Sequence, residues 1–220
     1  ARPARAPRPA PEARYTAGPG EEIAPRDIEV ALVKLRGDRP MTLAHVPIGW
    51  AGDLYPFAGP LDFLGHDGGA GLAAGPGNTV GAALALKDDP RIVVSVLGDG
   101  DFMQGCTALW TAAHYEIPAL FIVSNNRSNF NDEIHQETVA KARNRPVENR
   151  WIGQRIDDPA LDLAALARAQ GVAAEGPVRD HAGLEAAIRR GFDEVAAGKP
   201  YLIDVHVAAG YASTPLSRGE

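Results

Sequence analysis

The sequence predicts an α/β fold, a mostly parallel sheet flanked by helices on both faces. Three observations carry this. Ile92–Leu97 (IVVSVL) and Ala119–Ser124 (ALFIVS) are almost unbroken apolar runs, the pattern of strands covered on both sides. Segments with helical periodicity separate and follow them. Strand and helix therefore alternate along the chain, which gives parallel pairing through right-handed crossovers.

Each element has a local reason. Pro25 suits a first helical turn, and Ile28, Ala31, Leu32 and Leu35 share one face before Gly37 ends the helix. Met41–Val46 is a short strand. Residues 47–76 are rich in Gly and Pro, and so long an irregular stretch points to a site. Asn78–Leu86 reads as a small-residue helix. After IVVSVL, a helix beginning near Phe102 carries Phe102, Cys106, Leu109, Trp110 and Ala113 on one face. Asp158 and Pro159 are expected to cap and open the next helix, with Leu163, Leu166 and Ala167 inward and Gly171 past its end. Leu184, Ile188, Phe192 and Val195 mark a last helix, and Tyr201–Val207 (YLIDVHV) a last strand.

The predicted organisation is a linker or extended tail over residues 1–22, a folded domain over 23–210 and a C-terminal tail over 211–220. The first of these is rich in Pro, Ala, Arg and Gly and has little to bury. Apolar residues make up 45% of 220, enough for a core. The 22 Lys and Arg against 28 Asp and Glu leave a formal charge of −6, which argues against nucleic acid or an anionic membrane as partner. No apolar run reaches the roughly 18 residues of a membrane span. A single cysteine, Cys106, has no internal disulfide partner and fits a reducing, cytoplasmic setting.

Ligands in such sheets bind outside the carboxyl ends of the strands. Two strand ends carry notable residues: Gly98-Asp99-Gly100-Asp101 after IVVSVL, and Asn125-Asn126-Arg127-Ser128 after ALFIVS. One helix separates them, so the strands are expected to be neighbours with converging tips. Carboxylate and amide oxygens are hard ligands suited to Mg²⁺ or Ca²⁺. Gly100 leads into a helix N-terminus, which favours anions. A metal–diphosphate ligand fits both. Taken singly, Asp between glycines is also a common turn or cap, and Asn-Asn a common loop pair. Their spacing, 24 residues between Gly100 and Asn125 with a strand ahead of each, strengthens the functional reading.

GDG followed at this interval by NN resembles the signature of thiamine-diphosphate-dependent enzymes. Gly68 to Ala82 (GGAGLAAGPGNTVGA) resembles the cofactor segment of acetolactate synthases and pyruvate-decarboxylase-like enzymes, and about Asp27 to Val207 looks like their C-terminal, diphosphate-binding (PP) domain. The resemblance implies thiamine diphosphate and Mg²⁺ as cofactors. It implies Asp99, Asn126 and the Ser128 carbonyl as metal ligands, and the Asp101 amide as a diphosphate contact. Gly98 and Gly100 shape the turn. Leu72 is implied as the prop that bends the cofactor, and the Ala70 carbonyl as acceptor from its aminopyrimidine. Many relatives carry Ser or Ala at position 101, so Asp101 must turn away or pair with a cation such as Arg127.

The family's essential glutamate lies in a separate pyrimidine-binding (PYR) domain, which nothing here resembles. The chain is therefore expected to be a fragment of a longer chain or one subunit of a split enzyme, homo- or hetero-oligomeric. Its expected activity is decarboxylation or carboligation of a 2-oxo acid or aldehyde. Asn131, Asp132 and His135 stand where acetolactate synthases carry apolar residues and a Trp, so the pocket is expected to be more polar if they line it. His66, Asp67 and His114 read as structural or solvated, and Val139–Ile156 as a lid or a surface loop. Two rival readings are a non-catalytic subunit of the same fold and an NAD(P)-binding domain. For the second, Gly69-Ala70-Gly71-Leu72-Ala73-Ala74 fits G-x-G-x-x-A without a good strand before it.

Overall fold

The computed structural model describes residues 12–18, 20–66 and 71–209. Five parallel strands form one sheet in the order β1-β2-β3-β5-β4. They are β1 (Met41–His45), β2 (Ile92–Gly98), β3 (Leu120–Asn125), β4 (Ala173–Val178) and β5 (Tyr201–His206). The helices are α1 (Pro25–Arg36), α2 (Ala74–Ala85), α3 (Asp99–Gly105), α4 (Ala108–His114), α5 (Phe130–Ala142), α6 (Leu163–Ala169) and α7 (His181–Ala196).

Successive strand residues point to opposite faces, and both faces are dry. Val94 and Val96 of β2, Leu120 and Ile122 of β3 and Ile203 and Val205 of β5 enter one apolar layer with Ile28 and Leu32 of α1 and Leu184, Ile188 and Phe192 of α7. Val93, Leu97, Phe121, Val123 and Leu202 enter the other with Val80 of α2, Phe102 of α3, Leu109 of α4 and Leu163 of α6. Full burial of a side chain such as Phe102 or Leu109 is worth about 1.5–3 kcal/mol.

Several boundaries differ from those expected. The helix expected from Phe102 onward breaks at Cys106–Thr107 into α3 and α4. The break swings Trp110 outward to 55% exposure, where it stacks on His114 with centroids 4.7 Å apart. No helix starts at Asp158–Pro159. The cap is Asp162, whose carboxylate accepts the Ala165 amide at 2.7 Å. α2 begins earlier than Asn78, because Pro76 falls in its first turn, where a missing N–H costs nothing. β4 and α5 were not anticipated. β4 (AAEGPV) is a partly exposed edge strand, where Gly176-Pro177 is tolerated with a register shift. α5 buries only Glu133, so no apolar stripe marks it.

Within the stretch read as a linker, Tyr15–Ala17 is seated on the domain. The buried Asp27 carboxylate accepts the Thr16 amide and hydroxyl, both at 2.7 Å, and meets His181 Nε2 at 2.8 Å. Tyr15 stacks on His181 at 4.1 Å and donates its hydroxyl to Glu185 at 2.6 Å. The C-terminal tail expected over 211–220 lies outside the described residues, and no helix among the described residues is long and apolar enough to cross a membrane.

Candidate functional site at two strand tips

Gly98 of β2 pairs with Ser124 of β3, so the two strands end side by side. Asp99 opens α3 at the first tip. At the second, Arg127 takes a left-handed φ of 62° and turns the chain sharply. That turn is held by asparagine side chains: Asn125 Oδ1 accepts the Arg127 amide at 3.1 Å, and Asn126 Oδ1 accepts the Ser128 amide at 3.0 Å. The Ser128 amide also donates to Asp99 Oδ2 at 3.0 Å. One N–H thus gathers an oxygen from each tip. Asp99 Oδ1 accepts the Gly100 amide at 2.9 Å.

Asp99 is buried, and burial pushes its carboxyl up to about 6 against the hydrogen bonds that oppose the rise. A carboxylate so held has a strong preference for a cation. Among the described residues no trio of His, Cys, Asp or Glu forms a metal cage. The oxygen set is one carboxylate, one amide and nearby backbone, which suits Mg²⁺ completing its shell with phosphate and water.

Every described candidate residue lies on one cleft: Leu72, Gly98, Asp99, Gly100, Asp101, Asn126, Ser128 and Asn131 all line it. Ala70 lies outside the described residues. Leu72 is 43% exposed, so it is a cleft residue and not a core one. Asp132 also lines the cleft; His135 is exposed on α5 and is not among the lining residues. His114 is on α4, stacked on Trp110, and Asp67 lies outside the described residues.

Asp101 turns away. Its Oδ1 accepts the Gly75 amide at 3.3 Å, and a Cβ at Gly75 would stand 2.1 Å from its Oδ2. Arg127, the other option, is engaged instead by Glu22 at 2.8 Å and His206 Nδ1 at 3.3 Å.

The long irregular stretch after β1 does reach the site. Pro47, Ile48, Gly49 and Trp50 form a cleft wall, joined by Pro25, Ser124, Asn129 and Phe130. Pro47, Ile48, Gly49 and Trp50 were not singled out one by one from the sequence; the length and Gly/Pro content of 47–76 was the available signal. Glu133 was missed as well. Its buried carboxylate accepts the Ser128 hydroxyl at 2.5 Å and the Arg155 Nε–H at 3.1 Å. Of the segment read as lid or surface loop, residues 139–142 are instead the last turn of α5, and the rest divides in two. Most of 143–153 is exposed, while 154–156 lies antiparallel to 127–129 through Asn129 N–H to Gln154 O and Ile156 N–H to Arg127 O, at 2.9 and 2.8 Å. Among the described residues no strand leads directly into the glycine-rich stretch before α2, β1 ending at His45, so the context that a dinucleotide fingerprint requires is not seen there.

The family described as "Thiamine pyrophosphate enzyme, C-terminal TPP binding domain" matches residues 47–205. Benzoylformate decarboxylase of Pseudomonas aeruginosa is 35% identical over 152 residues, which are 69% of this chain and 24% of that protein. A probable acetolactate synthase large subunit of Methanococcus aeolicus is 32% identical over 79 residues, 36% of this chain and 13% of that one. The crystal structure of benzoylformate decarboxylase from Polynucleobacter necessarius superposes with a TM-score of 0.70 at 21% identity, over 95% of this chain and 36% of that one, and shares the fold. The chain thus spans about a quarter of the length of its curated decarboxylase relative. With the two strand tips, their oxygen set and the cleft in place, the match across most of the chain settles the family: this protein belongs to the thiamine pyrophosphate enzymes, as their C-terminal, TPP-binding domain.

Proposed function

We propose that this chain is the diphosphate- and Mg²⁺-binding part of a thiamine-diphosphate-dependent 2-oxo acid decarboxylase or carboligase, working with a pyrimidine-binding domain from another chain or segment. The supporting observation is the shared Ser128 amide, which brings Asp99 and Asn126 oxygens together at the mouth of a cleft. Asp99 and Asn126, with the Ser128 carbonyl, would hold the cation. Bound there, thiamine diphosphate supplies an electron sink for cleaving the bond beside a carbonyl.

The chain's own residues do the rest. Leu72 presents an apolar surface in the cleft for the cofactor to bend over. Ile48, Trp50 and Phe130 provide apolar walls that exclude water and accept an apolar substrate body, while Asn131 and Asp132 offer polar groups at the same cleft. That mixture suits an aromatic 2-oxo acid better than a small aliphatic one, and the likeness to a benzoylformate decarboxylase supports the same class. The lyase or transferase step needs the glutamate of the missing domain, and we place the assembly as an oligomer in the cytoplasm.

Calorimetry tests this directly. With a pyrimidine-binding domain supplied, the chain should take up thiamine diphosphate only when Mg²⁺ is present, and Asn126→Ala should weaken that uptake on the order of 10-fold. Uptake that ignores Mg²⁺, or none under any condition, refutes the proposal.

A further inference from the structure

We infer that Asp204, on β5, is a positioning residue that sets the metal-holding turn through Asn125. The inference rests on the function proposed above. β5 alternates Ile203 and Val205 into one apolar layer and Leu202 into the other. By that alternation Asp204 faces the second layer, where an apolar residue is the stable choice. It is instead a carboxylate, 1% exposed. A buried acid is costly unless hydrogen bonds or an opposite charge compensate it.

The bonds lead to the site. Asp204 Oδ1 accepts Asn125 Nδ2–H at 2.9 Å. This fixes which way the Asn125 amide faces, so its Oδ1 meets the Arg127 N–H at 3.1 Å. Arg127 is the left-handed residue between Asn126 and Ser128. A non-glycine residue in that conformation is held by its surroundings. The turn it makes delivers the Ser128 amide to both Asp99 and Asn126. β4 packs against the main chain of Asp204: a Cβ at Gly176 would stand 2.6 Å from Asp204 Cβ and 2.7 Å from its carbonyl oxygen, so this close approach of β4 to β5 requires glycine at 176.

Three variants test this in the full chain together with its pyrimidine-binding domain, by electron paramagnetic resonance titration of Mn²⁺ at saturating thiamine diphosphate. Asp204→Leu removes the acceptor and should weaken Mn²⁺ binding about 10–100-fold. Asp204→Asn keeps an oxygen for Asn125 Nδ2 and should stay within about threefold of the parent, which a role of bulk charge would not allow. Asn125→Ala cuts the same bond from the other side; combined with Asp204→Leu it should add little further loss. It also serves if Asp204→Leu does not fold. Parental Mn²⁺ affinity in Asp204→Leu or Asn125→Ala, or loss in Asp204→Asn equal to that in Asp204→Leu, overturns the inference while leaving the proposed function intact. A parent protein that takes up no Mn²⁺ overturns both.

Discussion

Asp99 and Asn126, from different strand ends, each direct one side-chain oxygen at the same N–H, that of Ser128, at 3.0 Å. The carboxylate of this pair is buried and held near 6, so the ligand-free fold bears an unfavourable charge at neutral pH. Asp99→Asn should therefore raise the melting temperature of the ligand-free chain while weakening Mg²⁺-dependent cofactor uptake on the order of 10-fold or more. A variant that melts lower and binds as before contradicts both halves.

Asp132 lines the cleft without joining the Asp99–Asn126–Ser128 group. Asp132→Ala should change the order of preference in a panel of aromatic and aliphatic 2-oxo acids and leave thiamine diphosphate affinity unchanged. Identical kcat/KM ratios across the panel would show that the side chain does not meet substrate.

Asp62 anchors the loop that follows the cleft wall. It accepts the Ala58 and Gly59 amides at 2.6 and 2.8 Å and pairs with Arg91 at 2.8 Å. The Ala58 amide, then Arg91, then the Gly59 amide hold its carboxyl down to about 2 from an ordinary 3.8. A depressed acid stabilises the fold above its unfolded value and loses that contribution as pH falls through the folded one. Asp62→Ala should cost about 1.5–3 kcal/mol at pH 7. The gap to the parent, read from urea midpoints, should narrow below pH 3.8 and close near 2. A gap independent of pH is the contrary result.

Glu29 behaves oppositely. It is 1% exposed and accepts the Leu54 amide at 3.2 Å, and burial raises its carboxyl above the usual 4.5. A raised acid gives stability that is present below the unfolded value and is lost as pH rises through the folded one. Glu29→Gln keeps an acceptor for Leu54 and carries no charge. It should melt above the parent at pH 7 and level with it below about 4.5. A lower melting point at pH 7 would count against burial as the governing effect.

Two glycines of α2 should respond in opposite senses. A methyl at Gly75 meets Asp101 Oδ2 at 2.1 Å and Leu97 Cδ2 at 2.6 Å, so Gly75→Ala should cost about 1–3 kcal/mol. Gly81 has open space around it, so Gly81→Ala should gain roughly 0.4–1 kcal/mol by restricting the unfolded chain. Denaturant midpoints of equal sign for the two would contradict the packing of α2 on α3.

The parts legible in the sequence were those written in neighbouring residues. IVVSVL and ALFIVS declare β2 and β3 because both faces of each are buried, and the strand tips follow from them. The Gly98–Asp101 and Asn125–Ser128 loops could be placed together because one crossover joins their strands. β4 was hidden because an edge strand needs no apolar run and tolerates Gly176-Pro177. Trp110 misled because an aromatic at helical spacing reads as core, and the break at Cys106–Thr107 alone turns it out. Asp204 and Glu133 were invisible for a different reason. Each acts by touching a group distant in the sequence or about one turn away, Asn125 and the Ser128 hydroxyl, and neither contact has a spacing that marks it.

Of the chain's three tryptophans, Trp50 stands in the cleft wall, while Trp110 and Trp151 are not among the residues that line it. Replacing Trp110 and Trp151 by phenylalanine leaves a single indole whose emission colour and quenching by iodide follow the state of that wall. The protein thus carries its own optical probe, able to follow occupancy in real time without any label.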